Sequence, residues 1–358
     1  MTDATHEAQI QAWLHHSVVT DASDLHLVAG YPPVIRVHGE LSELDEAPLD
    51  ADGLEAMLRK ISPEPALGRF AVEKNADYCL EMKIEDVSRR FRTNLFLSDG
   101  HWGACFRLIP NMIPDFDWAG FPRDTAEKLA ALRNGLVLLT GITGSGKTTT
   151  LAMIIDLINR QGGRRIVTVE EPVEYIYPKL ANSVITQREL GEDVLNFADG
   201  LKYGLRQDPD VVLVGEIRDR ETAQMALSAA ETGHLVFSTM HTRDVKGAIS
   251  RYSDLFPKNV QDEIRSQLSS SIQAIISQHL LPASVAGQKR ELALEIMFNS
   301  APIASGIRTG KLLSIDNYIL SGRDQGMLNL DESIRRLLDA GKITQEIASR
   351  FVSESFYM

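Results

Sequence analysis

Cysteine is nearly missing from this chain: Cys79 and Cys105 are the two that its 358 residues hold. That is too few for a disulfide framework or an all-cysteine zinc site, and a reducing compartment is the simpler expectation. Long apolar runs are missing too. None approaches the ~18 residues of a membrane span, and the polar opening with His6, Glu7 and Gln9 lacks a signal peptide's charged and apolar regions. A cytoplasmic location without direct membrane insertion is therefore expected. Positive charge is in deficit, at a net −12, whereas general affinity for nucleic acid needs clustered Lys and Arg that displace counterions. No nucleic-acid partner is expected, a local basic channel being the remaining exception. Internal repeats and low-complexity segments are absent as well.

What is present suffices for about two domains, since single cores rarely grow beyond ~250 to 300 residues. Residues 5–19 read as a helix with Ile10, Trp13, Leu14 and Val18 on one side. Ala22 to Leu27 begins a strand-like stretch, and Val34-Ile35-Arg36-Val37 leads to Gly39 as in a short hairpin. Mixed patterns continue to 109, which predicts a small α+β domain over 1–109. Three prolines and Asp115-Phe116-Asp117-Trp118 break the periodicity, so 110–123 reads as a linker. From 124 to 358 short apolar runs alternate with helical patterns. The runs Leu136–Thr140, Ile166–Val169, Val211–Val214 and Leu235–Thr239 suit strands buried on both faces of a parallel sheet. The fold class is α/β.

The densest signal lies at the first of these runs. Gly135 to Thr140 ends in a glycine-rich loop, and Leu151, Ile154, Ile155 and Ile158 then line one face of a helix. Gly141, Gly146, Lys147 and Thr148 fit the P-loop spacing, with Thr143, Gly144, Ser145 and Thr149 completing the candidate nucleotide-binding set. Small residues let backbone N–H groups close around phosphate oxygens at a helix N-terminus. Lys147 would bind the β/γ-phosphates of ATP and the Thr148 hydroxyl would ligand Mg²⁺. Open sheets of this kind bind ligands beyond the carboxyl ends of their strands. The other runs end in Glu170-Glu171, Gly215-Glu216 and Met240-His241, all chemically useful there.

Glu216 is the leading catalytic candidate, because a carboxylate beside a P-loop can polarise an attacking water or hold the Mg²⁺ hydration shell. Its bland alternative is an exposed strand-end carboxylate paired with Arg218 or Arg220. Glu170 and Glu171 could each position water, serve Mg²⁺ through water or simply be solvated; Glu170, closer to the strand end, is favoured. His234 and His241 bracket the fourth run. A lone His is usually a satisfied structural residue, but His241 sits where the neighbouring strands carry the site.

With these motifs in order, the chain resembles the PilT-like type IV pilus retraction ATPases of the secretion superfamily. Ala22-Ser23-Asp24-Leu25-His26-Leu27 and the stretch Pro32 to Gly39, which includes His38, are similar to that family's opening. Gly141 to Thr148 is similar to its Walker A box, Glu170-Glu171-Pro172-Val173-Glu174-Tyr175 to its acidic box, Val214 to Asp219 to its Walker B box, and Ala230 to Thr242 to its histidine box. The resemblance implies a hexameric motor hydrolysing ATP with Mg²⁺. It implies a PAS-like N-terminal domain that closes over nucleotide held by a RecA-like domain, with Arg92 and Arg107 approaching the phosphates. The alternative role for each arginine is a surface ion pair. It further implies peripheral work at the inner membrane, through a pilus platform protein and, in two-motor systems, alongside a paralogous ATPase.

Two departures matter. The family's Glu-Asp-Pro is Glu170-Glu171-Pro172 here, and its Ala-Ile-Arg-Asn-Leu signature appears only as Ala301 to Arg308. The first alters placement of water or metal; the second puts retraction, though not ATPase chemistry, in doubt. The chain also lacks the tetracysteine insertion and long N-terminal extension of the assembly ATPases. Residues 260–281 are predicted as one amphipathic helix carrying Ile264, Leu268, Ile272, Ile275 and Ile276. Competing readings are a pilus-assembly, type II secretion or conjugation motor, a RecA-like nucleic-acid translocase, and a non-hydrolysing ring that uses nucleotide only for its shape.

Overall fold

The computed structural model describes residues 3–352 except 38, 85, 111 and 286, with side chains from residue 8 onward. His38 and the side chains of His6 and Glu7 lie outside the described residues. The chain divides into two compact units, Met1–Met112 and Ile113–Met358.

In the first unit, helix α1 (Asp3–Val19) buries Ile10, Trp13 and Leu14. Strands β1 (Asp24–Val28), β2 (Val34–Val37) and β3 (Glu40–Glu43) follow, the last two forming the expected hairpin. Helix α2 (Ala51–Ile61) starts at Asp50, whose carboxylate accepts the Gly53 N–H at 2.7 Å and so satisfies one orphan donor of the first turn. Helix α3 (Glu64–Glu73) leads into β4 (Asn75–Ile84), β5 (Val87–Ser98) and β6 (His101–Ile109). The six strands pair antiparallel in the order β3-β2-β1-β6-β5-β4. Alternation along β4 buries Ala76, Tyr78, Leu80, Met82 and Ile84 and exposes most residues between them, as one half-buried sheet face requires. Leu25, Phe91, Leu95 and Phe106 join that core.

The second unit begins inside the stretch read as a linker. Ile113, Phe116, Ala119 and Phe121 pack against its core, and α4 (Phe116–Ala119) is a single turn capped by the Asp115 carboxylate. Polar residues mask this apolar spacing in the sequence. After α5 (Arg123–Ala130) come β7 (Gly135–Thr140), α6 (Lys147–Gln161), β8 (Arg165–Glu170), β9 (Val184–Glu189), α7 (Phe197–Gly204), β10 (Val211–Val214), α8 (Arg220–Glu231) and β11 (Leu235–Met240). Helices α9 (Val245–Asp254) and α10 (Gln261–Ser271) precede β12 (Ile272–Leu281) and β13 (Glu291–Phe298). Helices α11 (Ala301–Arg308), α12 (Ile315–Ser321), α13 (Leu330–Asp339) and α14 (Gln345–Ser349) finish the unit.

Its seven-stranded sheet has the order β13-β12-β7-β11-β10-β8-β9. All pairings are parallel except that of β13 with β12. The α/β class is thus the observed one, and each of the four apolar runs is a fully or almost fully buried strand. The predicted single helix over 260–281 is not. It stops at Ser271, and Ile272 enters β12, which lies beside β7. The run Ile272-Gln273-Ala274-Ile275-Ile276 is β-branched and buried on both faces, so burial in the sheet outweighs a helical spacing that only Ile264 and Leu268 obey.

Candidate active site

The site grows from the end of β7. All six residues of that strand are buried, and the chain leaves it through Gly141 at φ +148°. A Cβ there would strike the Ser145 hydroxyl and come within 2.5 Å of the Gln278 carbonyl, so the loop can close this tightly only around glycine. Gly146, left-handed at φ +89°, caps α6. That helix is held nearly all round by Leu151, Ala152, Met153, Ile154, Ile155 and Ile158, which fixes the direction of its N-terminal N–H groups.

Lys147 is buried and its Nζ donates to the carbonyls of Gly141 (2.8 Å) and Ile142 (3.0 Å). Burial pulls its pKa down, and the charge of Glu216 pushes it back up. The two residues, 69 positions apart by number, are therefore electrostatic neighbours. Ser145 Oγ is buried without a hydrogen-bond partner among the described residues. A buried hydroxyl left without a partner in the loop that precedes a helix N-terminus suits an anionic oxygen. Thr143, Gly144 and Thr148 are exposed on the loop and the first helical residues. Thr149 instead turns its hydroxyl to the Tyr175 phenol at 3.0 Å.

Glu216 lies two residues beyond β10, and its carboxylate is 8 % exposed. Oε2 stands 3.2 Å from His241 Nε2, and Oε1 pairs with the Arg218 guanidinium. Arg218 also reaches Glu171 at 3.5 Å. The ion pair with Arg218 that served as the bland alternative thus exists, in the same place as the functional arrangement. Neighbouring strand ends are knitted to hold this geometry. Thr239 Oγ1 donates to the Gly215 carbonyl at 2.8 Å, and the Ile217 N–H donates to the Thr239 carbonyl at 2.9 Å.

Glu170 is 5 % exposed and sits deeper. Its Oε1 accepts from Thr168 Oγ1 at 2.6 Å and from Gln187 Nε2 at 3.2 Å. His234 precedes β11, so a six-residue strand, roughly 20 Å long, separates it from His241. Its ring Nδ1 lies 3.1 Å from the Ala229 carbonyl, closing the end of α8. Within the chain His241 joins Glu216 and His234 does not. Arg92 and Arg107 are direct cross-strand partners on β5 and β6, and Asp24 and Arg36 continue the same row across β1 and β2. Arg107 Nε donates to the buried Asp24 carboxylate at 2.8 Å.

Sequence reading missed the other wall. Trp118, Gly146, Thr149, Leu280, Lys289 and Leu292 line a cavity of about 170 Å³ beside the phosphate loop. Gln278 donates to Thr150 Oγ1 at 2.9 Å, and Arg290 donates to the Gly144 carbonyl at 3.3 Å. Gln278 was hidden by the helical reading of 260–281. Arg290 and Lys289 belong to the hairpin between β12 and β13, whose return to the loop follows from antiparallel pairing that no local motif announces.

Thr148 is exposed on the first turn of α6, and the Glu216 and Glu171 carboxylates both reach the Arg218 guanidinium. Among the described residues no group of three or more His, Cys, Asp or Glu could hold a metal alone. None of the described helices is long and apolar enough to cross a membrane.

Comparison with known proteins extends along nearly the whole chain. The family model "Type II/IV secretion system protein" matches residues 2–308. The Pseudomonas aeruginosa type IV pilus retraction ATPase PilT is 38 % identical over 335 residues, 94 % of this chain and 95 % of its own length. A Neisseria gonorrhoeae twitching motility protein is 36 % identical, with 97 % and 91 % covered. Among solved structures, the pilus retraction motor PilT with bound ADP superposes at a TM-score of 0.85, with 38 % identity and 98 % of each chain covered. With the family model matched over residues 2–308 and over a third of the residues shared with a relative from end to end, the chain belongs to the type II/IV secretion system protein family.

Proposed function

We propose that the chain is an ATP-hydrolysing hexameric motor that drives type IV pilus retraction. The observation that carries the chemistry is the convergence of Lys147, the orphaned Ser145 hydroxyl and the buried Glu216 carboxylate beyond the ends of β7 and β10, the two strands that flank β11. Loop amides and Lys147 would hold the triphosphate, the cavity beside Trp118 and Leu280 would take the nucleoside end, and Glu216, steadied by His241, would align water. Because phosphoryl transfer is mostly positioning and charge stabilisation, fixed and well-placed groups suffice. Thr148, with Glu216 or Glu171 through water, would hold Mg²⁺, which when bound spreads the charge of the β- and γ-phosphates.

Residues 1–109 would act as the PAS-like domain, joined through 110–123 to a RecA-like ATPase domain over 124–358. Arg92 and Arg107 would meet the phosphates in the working motor, where such guanidinium groups contribute ~10³ to 10⁵ in rate. The partners are five further copies of the chain, an inner-membrane pilus platform protein and, in a two-motor system, a paralogue. Similarity to the retraction ATPase along almost its whole length favours this over an assembly or secretion motor.

The test is phosphate release from Mg-ATP by wild type, Lys147→Ala and Glu216→Ala, with particle size measured in parallel. A wild-type ring whose turnover falls ~10² to 10³-fold in Glu216→Ala, and is lost with nucleotide binding in Lys147→Ala, is expected. A ring that binds ATP but turns over no faster than its variants, even with a platform protein, would sink the motor reading in favour of a structural ring.

A further inference from the structure

Gln187 lies on the edge strand β9, outside every motif of the site, yet its amide is engaged at both ends. Oε1 accepts the Tyr177 backbone N–H at 3.1 Å; Nε2 donates to the Tyr175 carbonyl at 2.7 Å and to Glu170 Oε1 at 3.2 Å. The orientation is forced. A backbone N–H can only donate, so the amide oxygen must face Tyr177, and the NH₂ must then face the Tyr175 carbonyl and the carboxylate. Thr168, the direct cross-strand partner of Gln187, adds the second donor to the same Glu170 oxygen.

With the Gln187 bonds included, the segment from 171 to 177 is pinned at three places. Glu189 Oε2 accepts the Val173 N–H at 2.9 Å, Gln187 holds Tyr175 and Tyr177, and the Tyr175 phenol meets Thr149 Oγ1 just behind the phosphate loop. One face of β9 thus connects the Glu170 carboxylate to the helix that carries Lys147.

We propose that Gln187 is a positioning residue: it orients the Glu170 carboxylate and sets the acidic segment against the phosphate loop. This rests on the reading that Glu170 takes part in hydrolysis. A misplacement near 1 Å can cost ~10²-fold in rate without loss of binding, which defines what to measure.

In the full-length protein, kcat, KM for ATP, affinity for Mg-ADP and melting temperature are compared for wild type, Gln187→Met, Gln187→Glu, Glu170→Gln and the double variant Glu170→Gln/Gln187→Met. Gln187→Met, of similar volume but without the amide, is expected to lower kcat ~10 to 100-fold while KM and Mg-ADP affinity stay within about twofold. Gln187→Glu keeps the shape but faces a carboxylate oxygen to Glu170, and should be at least as slow. The double variant should be no slower than Glu170→Gln. Should Gln187→Met melt early, Thr168→Val removes the other donor and leaves the 171–177 clasp intact, and the same kcat loss is expected. Multiplying losses in the double variant, or a loss confined to KM, overturns the proposal. Glu170→Gln at wild-type rate would remove Glu170 from the chemistry and the proposal with it, whereas a slow Glu170→Gln beside a wild-type Gln187→Met overturns the positioning role alone.

Discussion

The carboxylates of the second unit differ in environment, and the difference sets their behaviour. Glu295 on β13 is buried, its Oε2 accepting the Val245 N–H at 2.8 Å. Burial pushes its pKa up to about 7; the neighbouring Asp244 and Asp316 add to the rise, and the Val245 bond and Lys246 oppose it. A carboxyl raised in the folded state stabilises most while protonated. Its contribution is whole below pH ~4.5 and is lost as pH climbs through ~7, by about 3 kcal/mol in total. Glu295→Gln keeps an oxygen for Val245 and cannot ionise. Its melting temperature should therefore exceed wild type at pH 8 and match it near pH 5, as read by thermal unfolding across pH.

Elements translate this chemistry into position. The candidate phosphate loop is held between the buried strand β7 and the largely buried helix α6, and Gly141 is the joint between β7 and the loop. Gly141→Ala would force a side chain into a backbone region that L-residues avoid, against Ser145 and the Gln278 carbonyl. ADP affinity should fall at least ~10-fold, at a stability cost of ~1 to 3 kcal/mol, measurable by calorimetry and melting on the same sample. The parallel strands were legible in the sequence because burial on both faces writes itself as an unbroken apolar run. Lys147, Glu216 and His241 were legible because each follows such a run. Burial of the 110–123 stretch and of β12 in the second unit's core was not, for a different reason in each place. The 110–123 stretch spaces Phe116, Ala119 and Phe121 among polar residues, and β12 continues a helix without any turn residue to mark the change. Gln187 has no local signal, since its meaning lies in strand pairing with β8 and in a loop that precedes it by 10 to 12 residues.

At the scale of the molecule, similarity to a retraction ATPase, 38 % identical over 94 % of the chain, sets the altered stretch Ala301 to Arg308 in contrast. That stretch is a regular helix, α11, with Ile303 and Ile307 buried, so the altered residues keep its packing. A deletion strain separates the directions of work: surface pili retained with twitching lost is expected, while absence of pili would assign the motor to assembly. The sheet order has another consequence, for the chain as it is made. Strand β7 ends at Thr140, but β12, its neighbour on one side, begins at Ile272, about 130 residues later. At ribosomal speeds of ~5 to 20 residues per second, the β12-facing edge of the buried, apolar strand β7 waits on the order of ten seconds for its cover. Nascent chains of this motor are thus natural clients for chaperones that bind hydrophobic strands.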